Sequence, residues 1–364
     1  MKHFPIFAYA SLIALLSSAT HAQPVVRTYA PLPRPDTVRG LYVNRWAVLD
    51  QRIWRLVQVA ETTEVNTLVI DVKDDRGYVL YRSKVPLARD IGADTTNPVP
   101  ASRIRALLDT MRANGIHAIA RIVVAKDPLL ARARESLAVK RKADGKPWLD
   151  ANQQPWLDPT HREVWTYAAD LAAEAVAMGF SEVQYDYVRF PDDPRLAREA
   201  TFPLAKRRAR ARVIRDQLAY LEKRTSAMQV PMAIDVFGLT TSDTTDMGIG
   251  QSWEQFAPQV DIVQPMTYPS HYSTGMYGFP NPNAEPYGVI DRALKAALAR
   301  NAKLAHPPLI VPWYQDFTLG TPKYGPEQVR AQIQAGYDNG VASWLLWNPG
   351  SSYTIDALRP KSKQ

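Results

Sequence analysis

The residues of this chain that could do chemistry sit at regular places. Glu182-Val183-Gln184-Tyr185-Asp186-Tyr187 has the alternation of a short strand, with Glu182, Gln184 and Asp186 on one face and Val183, Tyr185 and Tyr187 on the other. A buried carboxylate is costly unless it is paired or hydrogen-bonded, so a polar ladder ending in an acid needs a reason. Met232-Ala233-Ile234-Asp235-Val236-Phe237 places Asp235 alone among apolar neighbours, on the parity of Ala233 and Phe237. An earlier run puts Val69, Asp71 and Lys73 on one face, followed by Asp74-Asp75-Arg76-Gly77. Arg189, three residues after Asp186, is positioned as a counter-charge that keeps that acid ionised, and Arg121 stands in another β-like run. Paired carboxylates protonate, deprotonate or attack at a glycosidic centre.

Amides and flat rings accompany these acids: Gln264 and Tyr268, then His271, Trp313, Gln315, Trp347 and Asn348. Amides grip hydroxyls, and rings stack on the apolar faces of pyranoses. The candidate catalytic residues are therefore Asp186 and Asp235. The candidate substrate-binding residues are Asp71, Lys73, Arg121, Arg189, Gln264, Tyr268, His271, Trp313, Gln315 and Trp347. Each has a structural alternative. Asp186 can form an ion pair with Arg189, and Asp71 with Lys73 or Arg121. Asp235 can be a network acid, and Trp313 and Trp347 can plug a core.

The elements that must position these groups alternate in type. Eight β-like runs occupy 38–43, 67–72, 117–124, 182–187, 232–237, 261–266, 309–313 and 342–347. Helical stretches lie near 50–64, 101–114, 161–178, 203–227, 252–257, 287–304, 326–338 and 354–359. Such alternation implies a parallel sheet, and eight units predict a single-domain (β/α)8 barrel over 38–360. An open doubly wound sheet is the alternative. Its phosphate turn should follow the first strand, where this chain has Val43-Asn44-Arg45-Trp46 and no glycine cluster. In a barrel the functional groups gather at the carboxyl ends of the strands, where the acids, amides and rings above fall.

Lys2 and His3, an apolar run from Phe4 to Leu16 and the small-x-small Thr20-His21-Ala22 predict a signal peptide over 1–22 and an exported mature protein. About 13 apolar residues are too few for the ~20 of a membrane span, and nothing later in the chain approaches one, so the mature protein is expected to be soluble. Residues 23–37, with Pro24, Pro31, Pro33 and Pro35, form a proline-rich leader. There are no cysteines, which excludes disulfides, thiol nucleophiles and thiolate metal sites. Hydrophobic residues make up 46% and charged residues 22%, ordinary for a globular protein. The net charge of +8 is modest, and its densest run, Lys206 to Arg212, fits a solvated helix face better than a nucleic-acid site. No metal or cofactor motif is present; Asp74-Asp75 matches no calcium loop. Neither a metal nor a cofactor is expected, and the oligomeric state is open.

Glu182-Val183-Gln184-Tyr185-Asp186-Tyr187-Val188-Arg189-Phe190-Pro191 resembles the signature of a bacterial family of glycoside hydrolases, domain of unknown function 4015. Asp71 to Gly77, Asp235 to Gly238, Gln264 to Tyr272 and Pro312 to Phe317 match further segments of that family in order. The similarity spans Arg39 to Trp347. It implies a barrel related to amylase-like glycosidases, a carbohydrate substrate and Asp186 as the nucleophile of a retaining mechanism. The partner acid is often glutamate in such enzymes; this chain has the shorter Asp235.

Two other functions fit the same residues. Met266-Thr267-Tyr268 resembles the strand-six motif of chitinase-like barrels, which implies substrate-assisted hydrolysis of an N-acetylated glycan. The chain also fits a non-catalytic glycan-binding or cell-envelope scaffold protein built on a glycosidase barrel.

Overall fold

The computed structural model describes residues 31–361. The signal peptide expected over 1–22, and the leader up to residue 30, lie outside them. Eight parallel strands form a closed (β/α)8 barrel: β1 (Arg39–Val43), β2 (Thr67–Lys73), β3 (His117–Val123), β4 (Glu182–Asp186), β5 (Met232–Phe237), β6 (Ile262–Met266), β7 and β8 (Trp344–Trp347). β7 comprises Leu309–Ile310, paired with β6, and Trp313–Gln315, paired with β8; Trp313 also pairs with Met266, so the ring closes. Pro312 interrupts β7 because it has no amide hydrogen to give the ladder. Closure removes the open-sheet alternative.

The helices α1 (Arg52–Thr62), α2 (Ala101–Ala113), α3 (Arg162–Met178), α4 (Arg210–Ser226), α5 (Trp253–Phe256), α6 (Pro286–Asn301) and α7 (Pro326–Asp338) connect the strands. A 3-10 turn at Ile355–Ala357 follows β8. α4 starts later than expected. Lys206 and Arg207 take left-handed φ of 48° and 64°, so the basic run bends through a turn and only its end is helical.

Two apolar layers result. The outer one lies between strands and helices and takes the outward strand positions, such as Val183, Tyr185, Ile234 and Val236. The inner one fills the barrel with Val69, Ile119, Ala233, Ile262, Trp313, Leu345 and others. Polar ladder residues interrupt this inner layer. Segment 31–37 crosses the amino-terminal end of the barrel: Leu32 N donates to Ser181 Oγ (3.0 Å) and Arg34 Nε to Glu182 Oε2 (3.0 Å). No helix among the described residues is long and apolar enough to cross a membrane.

Candidate active site

β2, β3 and β4 bring the top of the polar ladder together. In register, Asp71 lies beside Arg121, and Arg121 beside Gln184. All three point inward, and the strand tilt of a barrel lets Arg121 reach up to Asp186. Its guanidinium forms a bond of 2.5 Å to Asp71 Oδ1, donates from Nε to Asp186 Oδ2 at 3.2 Å and makes a closer contact there through Nη2. The counter-charge of Asp186 is thus Arg121. Arg189, expected in that role, instead pairs with Asp192 at 3.0 Å and lies over the rings of Trp156, Tyr187 and Phe237.

The chain turns sharply after Asp186. Tyr187 has a φ of +54°, rare for a bulky residue, and its amide donates to Asp186 Oδ1 at 2.5 Å. The turn stands Asp186 on the floor of a cavity of about 490 Å³ and puts the Tyr187 ring in its wall. Arg121, Arg189, Tyr268, His271 and Trp347 line the same cavity. So does Asp192, an acid outside the expected set; its signal was its place three residues after Arg189. Gly238 lets β5 meet the β6 loop, since a Cβ there would come 2.5 Å from Met266 O. Burial lowers the pKa of His271, which favours a neutral imidazole. Tyr268 Oη makes no hydrogen bond among the described residues.

Asp235 lies one step deeper. It is 1% exposed and does not line the cavity. Gln184 Nε2 and Trp313 Nε1 each donate to it at 2.6 Å, and Arg121 Nε is 3.8 Å from its Oδ2. Burial and the nearby charge of Asp186 push its carboxyl well above the usual range. Asp71 is raised to about 6, because burial outweighs Arg121 and the Tyr42 hydroxyl that donates to it at 2.5 Å. Trp347 stacks on Tyr42 with centroids 3.9 Å apart and covers the Arg121 guanidinium at 5.0 Å.

The remaining expected residues are elsewhere. Lys73 does not follow Asp71 inward, because the pairing of β2 with β3 shifts between these two residues. Its ammonium is buried on Asp127 (2.8 Å) and Val123 O (2.7 Å), over the Tyr167 ring, away from the cavity. Gln315 clamps loops: it accepts from Ser270 N (3.0 Å) and donates to Phe317 O (2.9 Å). Trp313 serves Asp235 from below the cavity floor, and the buried amide of Gln264 has no hydrogen-bond partner among the described residues. Asp74 Oδ1 accepts from the amides of Arg76 and Tyr78, and Asp75 holds Lys126 at 2.7 Å. No group of three or more His, Asp or Glu fit to hold a metal occurs among the described residues.

Comparison with known proteins agrees with the fold. A family model described as "Putative glycosyl hydrolase domain" matches residues 40–353. No curated protein sequence matches. Among solved structures, a hypothetical protein from Ruminiclostridium thermocellum is 36% identical, covering 54% of this chain and 97% of its own (TM-score 0.47). The PgaB (BpsB) glycoside hydrolase domain from Bordetella bronchiseptica has a TM-score of 0.62 at 14% identity, covering 90% and 100%. An alpha-galactosidase from Thermus thermophilus has a TM-score of 0.51 at 17% identity, covering 88% of this chain and 60% of its own, so this chain spans well under the full length of that enzyme. At such identities the two named glycosidases share the barrel fold. The family match covers nearly all of the described barrel, and the chain belongs to this glycosyl hydrolase family, domain of unknown function 4015.

Proposed function

We propose that this protein is an exported glycoside hydrolase that cleaves a poly- or oligosaccharide by a retaining mechanism, with Asp186 as nucleophile. One observation carries the proposal. Asp186 sits on a cavity floor, held by Arg121, and Arg121 Nε also lies 3.8 Å from a second carboxyl, Asp235, whose environment favours the protonated form. A carboxyl whose environment favours the protonated form is suited to give a proton, beside a neighbouring carboxylate that attacks. Asp186 forms a bond to the anomeric carbon as the glycosidic C–O bond breaks, and the proton of Asp235, which lies a layer below the cavity, reaches the leaving oxygen through one bridging water. Water, losing its proton to the same carboxylate, then displaces Asp186 and releases the sugar. Export rests on the sequence of residues 1–22.

Mechanism-based labelling tests this scheme. Incubation with a panel of 2-fluoro glycosides, then peptide mass mapping, should find the sugar on Asp186. Label on another carboxyl would remove Asp186 from the role.

The depth of Asp235 favours a second reading, substrate-assisted hydrolysis of an N-acetylated glycan. Only Asp186 would then touch the sugar among this pair, as acid and base, while the unpartnered Tyr268 hydroxyl holds the acetamide. Under that scheme no covalent enzyme intermediate forms, and a thiazoline analogue of N-acetylglucosamine inhibits.

A further inference from the structure

A second cavity, of about 240 Å³, lies against the wall of the one over Asp186. The two share Arg121, Tyr187 and Trp347, and the second reaches Trp46. Trp46 in turn borders a shallower hollow of about 460 Å³ with Asn97 and Pro98. Aromatic rings thus recur along one path: Tyr268, Trp347, Tyr187, Trp46.

Trp46 is 39% exposed yet held in place. It sits in a short helix, Arg45–Leu49, capped by Asn44, whose side chain accepts from Ala47 N at 2.8 Å. The Arg45 and Arg76 guanidiniums lie 5.4 and 5.8 Å from its ring centre. A fixed, exposed indole beside a polar cavity binds a sugar face at little ordering cost. Charge in the groove is nearly balanced, since Arg45, Arg76, Arg121 and Arg189 face Asp71, Asp74, Asp75, Asp186 and Asp192 across the two cavities. The net charge of +8 is therefore not concentrated where the substrate lies.

We infer that the barrel mouth is a continuous groove that holds an uncharged glycan on both sides of Asp186, with Trp46 as the platform of the remote subsite. The enzyme therefore cleaves within chains. This inference rests on the hydrolase function proposed above, because the direction of cleavage has meaning only if Asp186 cleaves.

The test uses uncharged gluco-, galacto- and N-acetylglucosamine oligosaccharides of graded length, with the mature protein and with Asp186→Asn for binding alone. Expected are internal cuts, tighter binding to longer oligomers and little change with salt. Trp46→Ala should lower the gain in kcat/KM from short to long oligomers about tenfold, Trp46→Phe should restore most of it, and both variants should keep the thermal midpoint. Release of single sugars from one end, with no length gain lost in Trp46→Ala, overturns the groove and leaves the hydrolase standing. Binding that collapses with salt overturns the uncharged ligand. If none of the oligomers is bound or cut, while anionic polysaccharides are, the groove assignment fails; if nothing at all is cut, the hydrolase function fails first.

Discussion

Glu182 and Asp186 stand at the two ends of one inward face of β4, and each shares a carboxylate oxygen between two nitrogens. Glu182 Oε2 accepts from Arg34 Nε at 3.0 Å and faces His117 Nε2 at 3.1 Å. Asp186 Oδ2 accepts from two nitrogens of Arg121. What lies beyond each pair differs. Segment 31–37 closes the lower end, and Glu182 is fully buried. The upper end opens through Asp186 into a cavity walled by aromatic rings. A similar sharing of one carboxylate oxygen therefore serves two ends: a closed network ties the leader to the barrel, and an open one presents a carboxylate to a ligand. A polar ladder inside a barrel marks function only where one end reaches solvent.

The sharpest way to break this contrast is to neutralise each end in turn. Asp186→Asn should lower hydrolysis on the order of 10⁴-fold while leaving the fold intact; kinetics beside a thermal melt would show it. A folded variant that keeps most of its activity would reduce the upper cluster to a structural pair and restore the scaffold alternative. Glu182→Ala should do the reverse. Removing one partner of a buried ion pair strands the other charge, at a cost of about 4 kcal/mol in denaturant unfolding. Its turnover per folded molecule should match that of the parent protein. Lost turnover with an unchanged midpoint would erase the division between the two ends.

The legible and illegible parts of the site follow the same geometry. Strand parity found Asp186, Asp235 and Asp71, because period two is read directly off a chain. It failed at Lys73, where one irregularity between Asp71 and Lys73 turned the ammonium toward Asp127. Such irregularities depend on how two strands pair, which one strand does not reveal. Arg189 was chosen by nearness in sequence, whereas Arg121 reaches Asp186 from a neighbouring strand. Depth was also hidden: Asp235 and Trp313 share the inward parity of cavity residues but lie a layer below. The barrel was easier to read, since eight alternations of strand and helix leave few closed arrangements. What escaped was local: the break at Pro312 in β7, the turn at Lys206-Arg207 before α4, and short elements in the loops such as the helices Arg45–Leu49, Pro86–Asp90 and Pro128–Ala133.

The smallest expected effect concerns pH and refines the same comparison. Asp71, in the open upper cluster, has its carboxyl raised from about 3.8 to about 6 by burial, despite Arg121. The folded protein therefore holds this proton more tightly than the unfolded chain does. Between the two values the native state binds more protons, so stability falls as pH rises through that window. The contribution is fully present below about 3.8 and lost above about 6. A shift of this size corresponds to about 3 kcal/mol at most. Asp71→Asn removes one titrating group and should reduce the slope of stability between pH 4 and 6, with the raised carboxyl of Asp235 carrying part of what remains, as read by urea midpoints across that range. If the slope survives unchanged, another group carries it. Asp71 would then be a fixed anion whose work is to hold Arg121 under Trp347, ready for Asp186.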